Sequence, residues 1–326
     1  TAGMRPLHKI TIGTCTGNPT GWGSPIHSKW NEITAWKSGT VRLAPDADDM
    51  APTNSIRNGV TVALAFAAAA LRSRQNLGAD SMESLSNRRV IVTGAASGIG
   101  QATARMLADK GAKLFLLDRD EAGLRREAAE LGCGSQAIDL RDQQMIAKVV
   151  RTAASDLGGL DCVVNVAGIT RKIEVDEVTA GDWADLLGIN LLAPFWLIQA
   201  SLPYLRKGAQ PAIVNVSSGT ALRPTIPGYS TYAASKGGLI TMTKALAFEL
   251  APQIRVNAVC PGFVYTALTA NATDDPEVHE TMRKLHALGR MGQPEEIANV
   301  IAFLASDEAS FVAAAIWAVD GGYTAA

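Results

Sequence analysis

The sequence has little of what marks several large classes of protein. Across 326 residues the formal net charge is -1, aromatic residues make up 6%, and charged residues make up 19%. No run of lysine and arginine, and no alternation of basic and aromatic residues, is present to follow a phosphate backbone. We therefore expect no nucleic acid among the partners of this protein.

Cysteine is too sparse and too scattered to build a metal site. Cys15, Cys133, Cys162 and Cys260 form no CxxC pair, and no histidine stands near them at ligand spacing. Cys162 and Cys260 stand in apolar runs, which favours buried free thiols in a reducing compartment. The expectation is a cytoplasmic protein that holds no metal ion.

Residues 1–81 lack the periodic pattern of a folded domain. Proline, glycine, threonine and three tryptophans precede an alanine-rich segment from Asn58 to Leu71, which is shorter than the about 20 residues of a membrane-spanning helix. Because Met82 stands just before the first regular strand, we interpret residues 1–81 as a non-catalytic extension, which a misplaced start would explain. A leader that directs the chain to an organelle or a membrane is the alternative. We expect no membrane partner.

Residues 82–326 show short apolar runs that alternate with longer segments of helical spacing. This pattern predicts an α/β fold, a doubly wound Rossmann-type parallel sheet covered by helices on both faces. A ligand crevice is expected at the carboxyl ends of its strands. The predicted strands are 90–93, 113–117, 162–164, 212–216 and 255–260. The predicted helices are 101–110, 121–131, 142–157, 182–205, 232–250 and 294–305.

A glycine-rich turn follows the first predicted strand and opens the first helix. In the sequence from Thr93 to Gly100, the glycines at 94, 98 and 100 allow a tight turn and let a pyrophosphate approach the backbone. The free amides and the positive end of the helix dipole would face the phosphates. Ser97 and Ile99 belong to the same predicted dinucleotide site.

Asp118 ends the second predicted strand, some twenty residues after the turn. A carboxylate there can accept hydrogen bonds from an adenosine ribose and would repel a 2′-phosphate. No lysine or arginine lies within the glycine turn, so the sequence favours NAD over NADP, although Arg119 could partly accommodate a phosphate. An exposed aspartate that only starts a turn is the alternative interpretation.

Tyr232 and Lys236 stand one helical turn apart in the sequence Tyr-Ala-Ala-Ser-Lys. On a helix this spacing places the phenol and the ammonium on one face. A nearby positive charge favours the phenolate, so we expect Lys236 to lower the pKa of Tyr232 toward useful proton transfer. The same spacing also occurs by chance on exposed helices.

Taken together, the TGxxxGxG turn, Asp118 and the Tyr232/Lys236 pair resemble the classical short-chain dehydrogenase/reductase family. The resemblance covers about residues 86 to 325. Asn165-Val-Ala-Gly168 resembles the family's NNAG segment, with Val166 in place of the second asparagine. The resemblance implies further cofactor contacts at Asp139, Leu140, Asn165, Ala167, Gly168, Pro261, Gly262, Val264 and Thr266.

The resemblance also implies a catalytic tetrad. Asn190 would hold a water that links Lys236 to solvent, and Ser218 would orient the substrate oxygen. Tyr232 would be the general acid or base, and Lys236 would also bind the nicotinamide ribose. Ser217 is the alternative for the serine role, because strand alternation does not decide between the two. Ser218 stands fourteen residues before Tyr232, about one more than the family pattern, so the loop between them is expected to carry a small insertion.

Near the C-terminus the sequence departs from the family pattern. A Thr-Gly pair is replaced by Ala313-Ala314, which would cost of order 1 kcal/mol or more if that position needs a conformation closed to alanine. This region commonly forms subunit contacts in the family, so the departure bears on the expected homotetramer. The long helices from Asp182 to Leu205 and from Tyr232 to Leu250 would form one of its interfaces.

The predicted function is NAD-dependent interconversion of a secondary alcohol and a ketone, with a small molecule as substrate. The alternatives are an NAD-retaining epimerase or dehydratase, and a cofactor-binding scaffold without turnover. The segment from Thr266 to Gly292 is the predicted lid, and its histidines His279 and His286 are expected to be solvated. A sugar, a steroid-like ring and a hydroxy acid all remain open as substrates.

Overall fold

The computed structural model describes residues 10–13, 30–33, 85–269 and 275–325. The chain divides into two units, residues 1–73 and 74–326, and each is described by itself. In the first unit, β1 (Ile10–Gly13) pairs antiparallel with β2 (Trp30–Ile33). The predicted boundary between residues 81 and 82, like Cys15 and the segment from Asn58 to Leu71, lies outside the described residues.

The second unit is built on a seven-stranded sheet in which every pairing is parallel. The spatial order is β5-β4-β3-β6-β7-β8-β9. The chain adds β4 and β5 on one side of β3 and then returns to place β6 on the other side, so the strand order changes its direction between β3 and β6. The strands are β3 (Arg89–Thr93), β4 (Lys113–Asp118), β5 (Gly134–Ala137), β6 (Cys162–Asn165), β7 (Ala212–Val216), β8 (Arg255–Pro261) and β9 (Ile316–Val319). This confirms the predicted doubly wound, Rossmann-type parallel sheet.

Alternation along the buried strands divides the core into two layers. Val90 and Val92 of β3 face one layer with Leu107, whereas Ile91 faces the other with Val149. Both faces of these strands are therefore apolar, which explains the continuous apolar runs in the sequence. Each layer is closed by helices that connect the strands.

Nine α-helices belong to the described part of the second unit. They are α1 (Gly98–Asp109), α2 (Glu121–Leu131), α3 (Gln143–Asp156), α4 (Ala180–Leu187), α5 (Ala193–Leu205), α6 (Gly219–Leu222), α7 (Ser230–Glu249), α8 (Pro276–Lys284) and α9 (Pro294–Ala305). The side chains of Asp120, Asp142 and Thr179 cap α2, α3 and α4 by accepting a first-turn backbone N–H. A 3-10 turn at Asp307–Ala309 precedes β9.

A π-helical turn, Gly188–Leu192, joins α4 to α5. The resulting stretch Ala180–Leu205 is apolar and long enough to cross a membrane by length and composition alone. Within this stretch, however, Leu197, Ile198 and Leu205 are buried in the core layer that also contains Val149. Those side chains show that the stretch covers the sheet.

Candidate active site

The glycine-rich turn lies between β3 and α1 as predicted. Gly94 has φ +70, and a Cβ added there would come within 2.9 Å of the Ala167 backbone nitrogen. Ser97, the N-cap residue of α1, provides no side-chain hydrogen bond, and the first turn of α1 contains no acidic residue. The first amides of α1 are therefore uncapped by the chain where they face the cavity.

Asp118 ends β4 beside this turn. Its Oδ2 accepts a hydrogen bond from the Ala96 amide at 3.0 Å, and its Oδ1 accepts one from the Asp120 amide at 3.0 Å. The carboxylate thus holds the glycine-rich turn against β4, and it also lines the cavity. Asp118 therefore combines the structural role of the alternative interpretation with a position suited to a ribose.

The remaining predicted cofactor residues gather around the same space, with one exception. The cavity has a volume of about 490 Å³. Its lining includes the predicted residues Gly94, Ser97, Gly98, Ile99, Gly100, Asp118, Asp139, Leu140, Ala167, Gly168, Tyr232, Lys236, Pro261, Gly262, Val264 and Thr266. Asn165 is the exception, because it is buried and does not line the cavity.

Asn165 instead starts a buried chain of hydrogen bonds that the sequence did not reveal. Its amide donates to Asn215 Oδ1 at 2.8 Å, and the amide of Asn215 donates to Thr243 Oγ1 at 2.9 Å. Thr243 in turn donates to the Leu239 carbonyl at 2.8 Å. This chain ties β6 and β7 to α7. In the sequence, only the presence of polar residues within apolar strands could have indicated this chain of hydrogen bonds.

Tyr232 and Ser218 both line the cavity. Ser218 follows β7 by two residues and caps the short helix α6, accepting the Thr220 amide at 3.1 Å. Burial raises the pKa of Tyr232, and this effect outweighs that of Ser218, which lowers it. The prediction that the Tyr232 pKa is lowered is therefore wrong for this arrangement, and Lys236 is not among the causes of the shift.

Ser217 points to a different partner. Its hydroxyl donates to the Lys236 backbone carbonyl at 2.9 Å and so fastens β7 to α7. Both serines border the cavity, but the Ser217 hydroxyl already has a hydrogen-bond partner, and Ser218 is the one that lowers the pKa of Tyr232. The geometry favours Ser218 for contact with a substrate oxygen.

Lys236 is 3% exposed and its ammonium donates to the Val216 carbonyl at 2.8 Å. Burial lowers the pKa of this lysine to about 8. A carbonyl acceptor satisfies one of its three donors, and the others remain for a ribose or a water. Lys236 and the predicted proton donor thus share one helix and one cavity.

Asn190 lies in the π-helical turn, fully buried behind the cavity wall. Its Oδ1 accepts the Ile169 amide at 2.9 Å, and its Nδ2 donates to the Ile169 carbonyl at 2.9 Å and to Ser235 Oγ at 3.0 Å. A Cβ at Gly168 would lie 3.1 Å from both Asn190 Oδ1 and Lys236 Nζ. Gly168 therefore separates these two groups and leaves no room for a side chain.

The lid contains one histidine whose environment differs from the expectation. His286 is 4% exposed; its Nε2 accepts the Phe263 amide at 3.1 Å, and its Nδ1 lies 2.8 Å from the Met282 carbonyl, an acceptor. The prediction of a solvated His286 is wrong, because the ring fastens α8 to the end of β8. His279 is partly buried, with its Nε2 2.8 Å from the Tyr265 hydroxyl.

Three further sequence predictions concern a metal site, the cysteines and Ala314. Among the described residues, no three histidine, cysteine, aspartate or glutamate side chains are placed to hold a metal ion. Cys162 and Cys260 are buried free thiols whose pKa burial raises to about 11. Ala314 has φ +58, so the expected conflict between alanine and the backbone is present.

The residues present fit a dinucleotide. The uncapped N-terminus of α1 and the left-handed glycine at 94 form a cradle that a side chain would fill. At the other end of the cavity, Lys236 and Tyr232 face the space that a nicotinamide riboside would enter. A nucleotide held on α1 would therefore extend toward the proposed proton-transfer residues.

Comparisons with known proteins agree with this geometry. A family model described as enoyl-(acyl carrier protein) reductase matches residues 94–324. The 3-oxoacyl-[acyl-carrier-protein] reductase FabG of Thermotoga maritima is 40% identical over an alignment of 244 residues, which covers 73% of this chain and 98% of that protein. The cis-4-hydroxycyclohexanecarboxylate dehydrogenase of Sinomonas cyclohexanicum is 40% identical over an alignment of 254 residues, which covers 74% of this chain and 99% of that protein.

A solved structure shows the same fold. The short-chain dehydrogenase/reductase described as a glucose/ribitol dehydrogenase, from Brucella melitensis, superposes with a TM-score of 0.70 at 36% identity. The match covers 74% of this chain and 98% of that one.

Proposed function

The chain belongs to the short-chain dehydrogenase/reductase family of nicotinamide-dependent oxidoreductases, and we propose that it interconverts a secondary alcohol and its ketone with NAD. The observation that carries the proposal is the placement of Ser218, Tyr232 and Lys236 on the lining of the cavity that the glycine-rich turn also lines. NAD is favoured by Asp118, whose carboxylate borders the same cavity.

The roles of the side chains follow from their positions. In the reducing direction, the phenol of Tyr232, whose pKa burial raises, donates its proton to the substrate oxygen that Ser218 holds in place, and the oxidising direction reverses this transfer. The glycine-rich turn would hold NAD, which would supply the acceptor for the hydride that leaves the carbon bearing this oxygen with its electron pair, as the carbon–oxygen bond becomes double. Lys236 would hold the ribose, and Asn190 would keep the π-helical turn and Ile169 in place behind it.

A panel of secondary alcohols assayed with NAD and with NADP tests the proposal. We expect turnover with NAD, and we expect Tyr232→Phe to lower kcat by roughly 100-fold or more while NADH still binds. Tyr204→Phe, a change of the same kind on α5 outside the cavity, is the matched control and should keep full turnover. Full activity of Tyr232→Phe would end the proposal.

Reduction of a carrier-bound 3-oxoacyl thioester is a second candidate, because the Thermotoga relative carries that name. A smaller cavity beside the first is lined by Arg119, Arg141 and Arg171, which an acidic carrier could approach. Arg141 and Arg171 are, however, already paired with Asp139, Asp182 and Asp185. Acetoacetyl-CoA in the same assay would distinguish the candidates.

Assembly as a homotetramer belongs to the proposal as well. Trp183, Leu192 and Phe195 on the stretch Ala180–Leu205, and Phe248 on α7, expose large apolar side chains. Contact between copies would cover such side chains. Light scattering that found a monomer under assay conditions would contradict this part.

A further inference from the structure

Charge is distributed unevenly along the main cavity. The charged residues that line it are Asp118, Arg119, Asp139 and Arg141 at the ends of β4 and β5, and Lys236 on α7. Beyond Lys236, the described residues that the segments after β7 and β8 contribute to the lining include no aspartate, glutamate, lysine, arginine or histidine. The nucleotide end is therefore charged, and the end beyond Tyr232 is uncharged.

The uncharged end presents apolar and aromatic surfaces. Its lining includes Ile226, Phe263, Leu268 and Met282. Phe263 packs edge-on against Tyr323, with ring centroids 5.8 Å apart. Hydroxyls of Ser218, Thr220 and Tyr229 line the same end. The apolar surfaces still favour a hydrocarbon ring over an open-chain polyol, because a polyol hydroxyl that lay against them would lose water without gaining a partner.

The hydroxyl of Tyr323 already has a hydrogen-bond partner. It donates to the Arg223 carbonyl at 3.0 Å, and Arg223 donates back to the Tyr323 carbonyl at 2.7 Å with its guanidinium over the ring. Tyr323 thus offers the cavity a ring and no free hydroxyl.

Tyr229 is different. It is the N-cap residue of α7, three residues before Tyr232, and the two rings meet edge to face with centroids 6.3 Å apart. Its backbone carbonyl accepts the Ala233 amide at 2.8 Å, which fixes its place at the start of the helix. Its ring lines the cavity, and among the described residues no hydrogen bond contributes to the environment of its hydroxyl. Burial raises the pKa of this phenol, so it is a neutral donor at physiological pH.

We propose that the substrate is an uncharged ring alcohol with a second hydrogen-bonding group, and that the Tyr229 hydroxyl binds this second group. The proposal rests on the proposed function, since Tyr232 and Ser218 hold the reacting hydroxyl. Because the two tyrosine rings are direct neighbours, both polar groups belong to one small molecule. Tyr229 thereby determines specificity and takes no part in proton transfer.

Four probe alcohols test the substrate class in the full chain. They are 1,4-cyclohexanediol, cyclohexanol, 4-hydroxycyclohexanecarboxylate and the open-chain polyol xylitol, each assayed with NAD. We expect the highest kcat/KM for the diol, exceeding that for cyclohexanol roughly three- to tenfold, which corresponds to one neutral hydrogen bond. A higher kcat/KM for the carboxylate or for xylitol would overturn the proposal.

Tyr229→Phe tests the assigned residue. The ratio of kcat/KM for the diol to that for cyclohexanol should fall toward one, and Tyr204→Phe should keep the wild-type ratio. An unchanged ratio in Tyr229→Phe would overturn the role of Tyr229. Failure of the proposed function would look different: all four alcohols would give no NAD-linked turnover, and both proposals would then fall together.

Discussion

Burial, more than helical spacing, determines the protonation of the residues proposed for catalysis. The spacing of Tyr232 and Lys236 in the sequence indicates that they share a face of α7, and the structure places both at the cavity. Their surroundings come from β7 and β8, which the spacing does not describe. Desolvation there raises the pKa of Tyr232 and lowers that of Lys236 to about 8. The sequence could therefore predict that Tyr232 and Lys236 lie close together, but it could not predict that the pKa of Tyr232 is raised.

Lys236 should make the folded state more stable as the pH rises above 8. The folded chain binds its proton less tightly than the unfolded chain, in which lysine has its ordinary pKa of 10.5. Below pH 8 the burial penalty is complete, on the order of 3 kcal/mol, and between the two pKa values it disappears. The excess free energy of unfolding of Lys236→Met over wild type, measured with urea, should therefore shrink as the pH rises from 8 to 10.5.

The control for this measurement is Lys244→Met. Lys244 lies on the same helix with an exposed side chain, so removing it should leave the pH dependence of the wild type unchanged in that range. A Lys236→Met difference that is constant from pH 7 to 10.5 would show that the ammonium is not desolvated in the fold.

The serine pair and the lid histidine show why single residues are harder to place than elements. Alternation along β7 does not separate Ser217 from Ser218, because the strand ends at Val216 and α6 begins at Gly219. Which hydroxyl meets Tyr232 depends on that turn. Similarly, the burial of His286 depends on the contact of α8 with the end of β8, which is distant in sequence. Contacts of this kind leave no local pattern.

At the scale of elements, strong periodic patterns placed the sheet and its helices closely. The predicted 212–216 and 121–131 agree with β7 and α2 at both ends. The short strand β5 was missed because Gly134–Ala137 contains no large apolar residue. The helix predicted over 182–205 begins earlier and contains the π-helical turn, whose register depends on the packing of Asn190 against Ile169.

The connection into β9 contains a strained residue. Ala314 has φ +58, a left-handed conformation that favours glycine, and its amide is fixed by the Val256 carbonyl at 2.9 Å. The sequence analysis raised this conflict between alanine and the backbone, because Ala314 stands where the family pattern has a glycine. Ala314→Gly should raise the free energy of unfolding by about 0.5–1 kcal/mol, because relief of the strain exceeds the added entropy of the unfolded chain.

Urea or thermal unfolding of two variants checks this expectation. Ala313→Gly is the matched control: Ala313 is exposed and is not among the residues with positive φ. That neighbouring change should lower the stability by a similar amount. Equal destabilisation by both glycines would show that the left-handed conformation at Ala314 carries no strain.

At the scale of the whole molecule, the described residues of the core and of the cavity belong to one stretch of the chain, from Leu85 to Tyr323. The buried side chains of the described residues begin at Leu85 and run to Tyr323. The cavity lining likewise runs from Gly94 to Tyr323. This part of the chain was predictable because its local patterns and its motifs agree on one fold. Residues 1–81 offer no comparable agreement.

Removal of residues 1–81 should therefore leave cofactor binding and turnover intact. The family model begins at residue 94. The alignment with the Thermotoga relative includes 73% of this chain and 98% of that protein. A chain that starts at Met82 keeps every described residue of the cavity and of the two core layers. We expect its NADH affinity and its kcat/KM to lie within about threefold of those of the full chain. If a soluble truncated protein lost NADH binding, the extension would contribute to the nucleotide site, and the assignment of a non-catalytic extension would fail.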